Sequence, residues 1–111
     1  MCSTRSITNN NVVIGFSGSN ANSYIGAYYA LHRGSDPAGT ISTLLQYKEG
    51  VAPYGIGASG RQSWGDYSAT VVDPTEPNVF WTIQEYAESS DGRPSLCRNC
   101  WGMQWARIVL P

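Results

Sequence analysis

At 111 residues the chain has room for one compact domain, which excludes a catalytic domain joined to an accessory one. Charged residues make up 14%, against roughly 25% in ordinary soluble domains, and Gly, Ser, Asn and Thr fill the balance, a palette typical of β proteins. Seven basic against eight acidic side chains, with no basic run, argue against a nucleic-acid partner, and no apolar stretch is long enough to span a membrane.

In chain order, residues 1–10 are polar and run into Asn9-Asn10-Asn11, which reads as a flexible leader with order starting near Val12. The N-terminus also lacks the apolar run of a secretory signal, so the chain as given is not expected to export itself. From Val12 the apolar period is two. Val12, Ile14 and Phe16 share one face of a strand, and after Ser17-Gly18-Ser19-Asn20 the residues Ile25, Ala27, Tyr29 and Leu31 share another, a hairpin pattern. A third strand is expected over Ile41 to Tyr47, after the breaker Asp36-Pro37-Ala38-Gly39. Residues 49–63 are broken by Gly and Pro and connect a first sheet (residues 11–48) to a second (64–111) inside a single module, 11–111.

The second half repeats the pattern. Asp66 to Val72 alternates, residues 73–78 form a turn with two prolines, and Val79, Trp81 and Ile83 alternate against Phe80, Thr82 and Gln84. In the last strand Trp101, Met103 and Trp105 face one way and Ala106, Ile108 and Leu110 the other, so a strand apolar on both sides is expected to be sandwiched. Trp81, Phe80 and Trp105 are mid-strand and read as core. No helical stripe recurs, and about six short antiparallel strands place the chain in the all-β class, among sandwiches, barrels and propellers.

The chemistry-bearing residues are sparse. Asp66 and Asp73 stand at opposite ends of one expected strand, over 20 Å apart at about 3.3 Å per residue, too far for a glycosidase carboxylate pair. Asp73 before Pro74 reads as a turn residue accepting its own backbone amides, and His32 as a polar strand end. Three cysteines are too few for a disulfide framework. Cys97 and Cys100 form a C-x-x-C that is either a local disulfide, free thiols or half a zinc site, to be completed by His32 and Cys2 or by a second chain. No cofactor is implied. Tyr54, Trp64, Tyr67 and Trp101 lie in loops or at strand ends, where aromatic faces serve a sugar or another small ligand.

Several runs carry a family resemblance: 11–17 (Asn-Val-Val-Ile-Gly-Phe-Ser), 27–33 (Ala-Tyr-Tyr-Ala-Leu-His-Arg), 64–74 (Trp-Gly-Asp-Tyr-Ser-Ala-Thr-Val-Val-Asp-Pro), 80–86 (Phe-Trp-Thr-Ile-Gln-Glu-Tyr), and Trp101-Gly102 with Ala106-Arg107-Ile108. Together they resemble the C-terminal blades of secreted bacterial sialidase-like, BNR-repeat β-propellers. The resemblance implies two propeller-blade-like sheets, each one strand short of the usual four, with edges and faces that self-association would close. About four such chains, or three with two extra strands, would complete six blades, so a homo-oligomeric trimer or tetramer is the expectation. It further implies a non-catalytic module with a glycan or small-ligand site drawn from Trp64, Asp66, Tyr67, Glu85, Tyr86 and Trp101.

Two alternatives accompany that reading. One is a sialidase-like or glycosidase-like site shared between chains, from Glu85, Tyr86, Asp66 and Arg61. Against it, Glu85 and Tyr86 are strand neighbours that point to opposite faces, the repeat's Ser-x-Asp-x-Gly-x-x-Trp box is absent, and Arg61, Arg93, Arg98 and Arg107 are scattered. The other is a mobile fragment of a larger propeller. The resembling family is secreted whereas this N-terminus carries no signal, so the sequence assigns no compartment.

Overall fold

The computed structural model describes residues 3–8, 10–41, 43–53, 67–88 and 100–110. They form seven strands: β1 (Ser3–Thr8), β2 (Asn11–Asn20), β3 (Ser23–His32), β4 (Thr43–Lys48), β5 (Ala69–Val72), β6 (Val79–Glu88) and β7 (Cys100–Val109). Every pairing is antiparallel, between neighbours in sequence, giving a four-stranded sheet β1-β2-β3-β4 and a three-stranded sheet β5-β6-β7. The described residues contain no helix, as the two-residue periodicity requires.

The expected leader is corrected here. Ser3–Thr8 is an edge strand in register with β2 from Ser3 opposite Phe16 to Thr8 opposite Asn11. Its polar composition conceals a strand because an edge gains its stability from the neighbour's backbone, and Asn10, at φ 63, makes the tight reversal that brings β1 back along β2. The first sheet therefore has four strands, whereas the expectation was three.

The sheets stack face to face, with β1 and β2 over β5 and with β2 and β3 over β6. At one end the interface is apolar: Val13, Leu31, Phe80, Ile108 and Leu110 form a buried cluster flanked by Tyr29, Val72 and Ala106. The other end is polar. The Thr82 hydroxyl donates to the Ala69 carbonyl at 3.2 Å and meets the Thr70 hydroxyl at 2.9 Å, and the Gln84 amide donates to Thr82 Oγ1 at 2.9 Å. Ser68 Oγ donates to Gln84 Oε1 at 2.6 Å, so these enclosed polar groups satisfy one another.

That ladder sits against a glycine. A Cβ on Gly15 would lie 2.3 Å from both Gln84 Nε2 and Thr82 Oγ1, so only a bare backbone lets β2 approach β6 this closely. The inner side of β2 is thus Val13, Gly15 and Ser17, and the more apolar set Val12, Ile14 and Phe16 faces outward. Beyond β5, the exposed edge of β6 is capped from the other sheet's chain. Ser17 Oγ donates to the Glu85 carbonyl at 2.7 Å, and the Val51 amide to the Ala87 carbonyl at 2.9 Å.

The expectation that β7 is sandwiched is also corrected. Its inner side packs through Ala106 and Ile108, but Trp101, Met103 and Trp105 on the other side are exposed. Of the three expected core aromatics, Phe80 is fully buried, Trp81 is half-buried on the outer face, and Trp105 is 58% exposed.

Candidate functional site

Each sheet spends one face on the shared interface and keeps one outside. On the three-stranded sheet alternation and register set the outer face: Val71 from β5, Val79, Trp81, Ile83, Glu85 and Ala87 from β6, and Trp101, Met103, Trp105, Arg107 and Val109 from β7, of which Val79, Glu85 and Ala87 are buried while Val71 and the β7 row are exposed. Cross-strand register places Trp81 opposite Arg107, Ile83 opposite Trp105 and Glu85 opposite Met103. This is a broad, aromatic-rich apolar surface.

One corner of it gathers three of the expected ligand residues. Tyr67, 56% exposed, stacks on Trp101, 44% exposed, with ring centroids 5.6 Å apart. Beneath them Glu85 is 4% exposed, and its Oε1 accepts the Tyr67 amide at 3.2 Å. The buried carboxylate fixes the Tyr67 backbone, and the two accessible rings are the part of this corner that can cover apolar C–H surface of a ligand. The opposite corner is fixed by charge. Arg107 lies 6.0 Å from the Trp81 ring and pairs with Glu76 at 3.2 Å, an exposed contact worth little in stability but one that orients the guanidinium.

Tyr86 is elsewhere. It projects from the inner face of β6, 7% exposed, against Gly102, whose Cβ would meet the Tyr86 hydroxyl oxygen at 2.7 Å. The hydroxyl donates to a Glu88 carboxylate oxygen and Lys48 Nζ stands 4.8 Å from the ring centroid. The bond to Glu88, reinforced by burial and by that carboxylate's charge, pushes the Tyr86 phenol up to about 12. A tyrosine nucleophile requires the reverse shift and an open approach. Glu85 and Tyr86, the pair that a sialidase-like site would use, thus stand on opposite faces of one sheet.

Tyr47 reaches across from β4, its hydroxyl donating to the Gln104 carbonyl at 3.0 Å, and burial pushes its phenol well above the ordinary range. It joins β4 to β7 and closes that side of the sandwich. His32, at the end of β3, has Nδ1 2.6 Å from the Thr40 carbonyl, the strand-end role expected of it. Trp64, Asp66, Tyr54, Arg61, Arg93, Arg98, Cys97 and Cys2 lie outside the described residues. Cys100 is disulfide-bonded, which removes its sulfur from any zinc site with Cys97, and no cluster of three or more metal-ligating side chains occurs among the described residues.

Trp105, Met103, Val71 and Val109 were not among the expected site residues. The doubly apolar alternation of β7 signals Met103, Trp105 and Val109, since a strand covered on one side only leaves the other set for a partner, whereas Val71 comes from β5. Compared with protein-family models, with curated proteins and with solved structures, the chain matches none.

Proposed function

We propose that this chain is a non-catalytic β-sheet module that self-associates, with a second copy covering the outer face of β5-β6-β7. The observation that carries the reading is that face itself. Tyr67, Val71, Trp101, Met103, Trp105 and Val109 are all exposed on one side of a three-stranded sheet. Patches of this kind mark interaction sites in soluble proteins. At roughly 150–250 Å² for a whole aromatic side chain, the six present about 600 Å², against about 800 Å² per partner in a standard interface. Aliphatic Val71, Met103 and Val109 between the rings suit packing against protein better than against a hydrated ligand. A propeller-blade-like role, with sheets covered on both faces by neighbouring blades, is the arrangement we propose these surfaces serve.

Trp105→Glu tests it. The substitution puts a charge at the centre of the patch on a side chain the fold does not bury, so the variant should keep its circular dichroism and fall to the monomer mass. An unchanged native mass would overturn the proposed interface.

A second reading, glycan binding, is favoured by the Tyr67–Trp101 stack over Glu85 at the rim of the same face. A glycan array followed by titration monitored through tryptophan fluorescence tests it. Binding lost in Trp101→Ala supports it, and silence across the array removes it.

A further inference from the structure

β7 is an edge of the three-stranded sheet, and among the described residues no strand pairs with it on the side away from β6. The Leu110 amide donates to the Asn78 carbonyl at 2.9 Å, which fixes the phase of the ladder. Even-numbered residues of β7 bond to β6, and Trp101, Met103, Trp105, Arg107 and Val109 point N–H and C=O outward. Sheet edges are ordinarily blunted by short length, bulges, Pro or Lys. The other three edges are: β1 and β4 have six residues and β5 four, and β4 is also bulged beside Ala27 and Tyr28. β7 runs ten residues in unbroken register, with no Pro and with Arg107 as its one charge. The sheet above it is wider by one strand. With β1 over β5 and β3 over β6, β4 comes to the β7 side, where its Tyr47 hydroxyl reaches the Gln104 carbonyl. Leu45, opposite Tyr29 on the inner side of β4, is nevertheless 40% exposed, because among the described residues the second sheet ends at β7.

From this edge we infer that a second copy adds the next strand: β7 pairs antiparallel with the β7 of another chain about a two-fold axis at Trp105, merging two three-stranded sheets into one of six. This rests on the self-association proposed above and names a backbone contact that face-on packing does not use. The occupant is a copy of this chain because the strand is complementary to itself. Centred on Trp105, the pairing lets all five outward residues exchange both backbone groups with a partner, so no bond of the edge is left over. On the outer side Trp105 meets the partner's Trp105, Met103 the partner's Arg107 and Trp101 the partner's Val109, so the two cations do not oppose each other. On the inner side each pair joins a small residue to a larger one, Gly102 to the partner's Ile108 and Gln104 to the partner's Ala106. The added strand also lies on the side where Leu45 is uncovered. A two-fold pairing closes on itself, so the edge is used up in a discrete species rather than a growing sheet.

Residue-resolved amide exchange and native mass on the full chain test this. In the assembled wild type the amides of Met103, Trp105 and Arg107 should exchange with deuterium as slowly as those of Gln104 and Ala106, which bond to β6. Fast exchange at the three odd positions beside slow exchange at the two even ones overturns edge pairing and, if the mass still exceeds 12.1 kDa, leaves self-association through the outer face standing. Arg107→Pro removes an outward N–H that β6 does not use, a place where an edge strand tolerates proline, whereas Arg107→Ala keeps that N–H and loses the same guanidinium. The proline variant should have half the native mass of the alanine variant, and equal masses overturn the pairing. Should proline disturb the circular dichroism, the exchange pattern, which needs no substitution, decides. Trp105→Glu does not separate the two contacts, since it also sets two carboxylates against each other across the axis. Val71→Glu does, because Val71 is exposed on the face but lies on β5, away from this edge. Assembly that survives Val71→Glu with the odd amides protected supports edge pairing and removes the face contact. A wild type that is monomeric overturns both.

Discussion

The Asp73 carboxylate and the Trp81 indole are joined by a 2.9 Å hydrogen bond, Nε1–H donating to Oδ2, across the turn between β5 and β6. The other carboxylate oxygen accepts the Thr75 amide and hydroxyl, both at 2.8 Å, and the Glu76 amide at 3.2 Å. One side chain therefore shapes the turn and holds an aromatic ring on the outer face, where Arg107 covers it. Asp-Pro at this position is a turn signal, and the acceptor role anticipated for Asp73 extends to a tryptophan eight positions further along the chain, which only the hairpin brings near.

That arrangement sets a pH dependence. Hydrogen bonds from Trp81 and Thr75 hold the Asp73 carboxyl at about 2, below its ordinary 3.8. Because the folded value is depressed, the stabilisation is complete above the ordinary value and is lost as pH falls from about 4 through about 2. Denaturant titrations of wild type and Asp73→Asn should show the wild type's advantage at pH 6 shrinking over that window. An advantage that holds constant down to pH 2 would contradict the assignment.

Gly15→Ala should destabilise strongly for its size. The new methyl group would fall 2.3 Å from two atoms of the enclosed Thr82–Gln84 pair and 2.8 Å from Thr70 Oγ1, and none of these can move without abandoning a hydrogen bond. Overpacking of this kind costs about 1–3 kcal/mol, read as a lowered urea midpoint at unchanged m value. Gly15→Ala paired with Thr82→Ser, which keeps the hydroxyl, should recover little, whereas pairing with Gln84→Ala should recover more.

Phe80→Ala removes the one aromatic side chain that, among the described residues, is fully buried in the Val13–Leu31–Ile108–Leu110 cluster. A loss of about 3–5 kcal/mol is expected, a large share of the roughly 5–15 kcal/mol that holds an ordinary domain folded. Trp105→Ala, which empties no cavity, should leave the unfolding of the dissociated chain within about 0.5 kcal/mol of wild type. The contrast separates core from docking aromatics by one chemical melt of each.

Thiol counting tests the disulfide at Cys100. Of three cysteines, a bonded pair leaves one free, so titration of the non-reduced, denatured chain should find one thiol. Three would contradict it.

The strands were legible where side chains carry the period. β2, β3, β6 and β7 follow alternations visible from Val12, Ile25, Val79 and Trp101 onward, and their observed bounds differ by a few residues at each end. β1 was not legible, because Ser-Thr-Arg-Ser-Ile-Thr becomes a strand only through β2's backbone. Nor was the choice of faces. On β2 the buried side is Val13, Gly15 and Ser17, since close sheet approach favours small side chains over the larger Ile14 and Phe16. For β7 the alternation shows two apolar sides but not how many sheets are at hand to cover them. Of the candidate site, the sequence names Tyr67, Glu85 and Trp101 but not the register and the Tyr67–Trp101 stack that bring them to one corner of the sheet. Tyr86 separates from them because adjacent strand residues oppose, a rule the sequence does supply.

Native mass by light scattering after size exclusion, at two protein concentrations, tests the central claim most directly. Self-association through the outer sheet faces predicts a discrete species several times 12.1 kDa that persists on dilution until its dissociation constant is reached. A monomer at both concentrations would mean that Trp105, Val71 and Val109 are stable in water as they stand, and the account would fail.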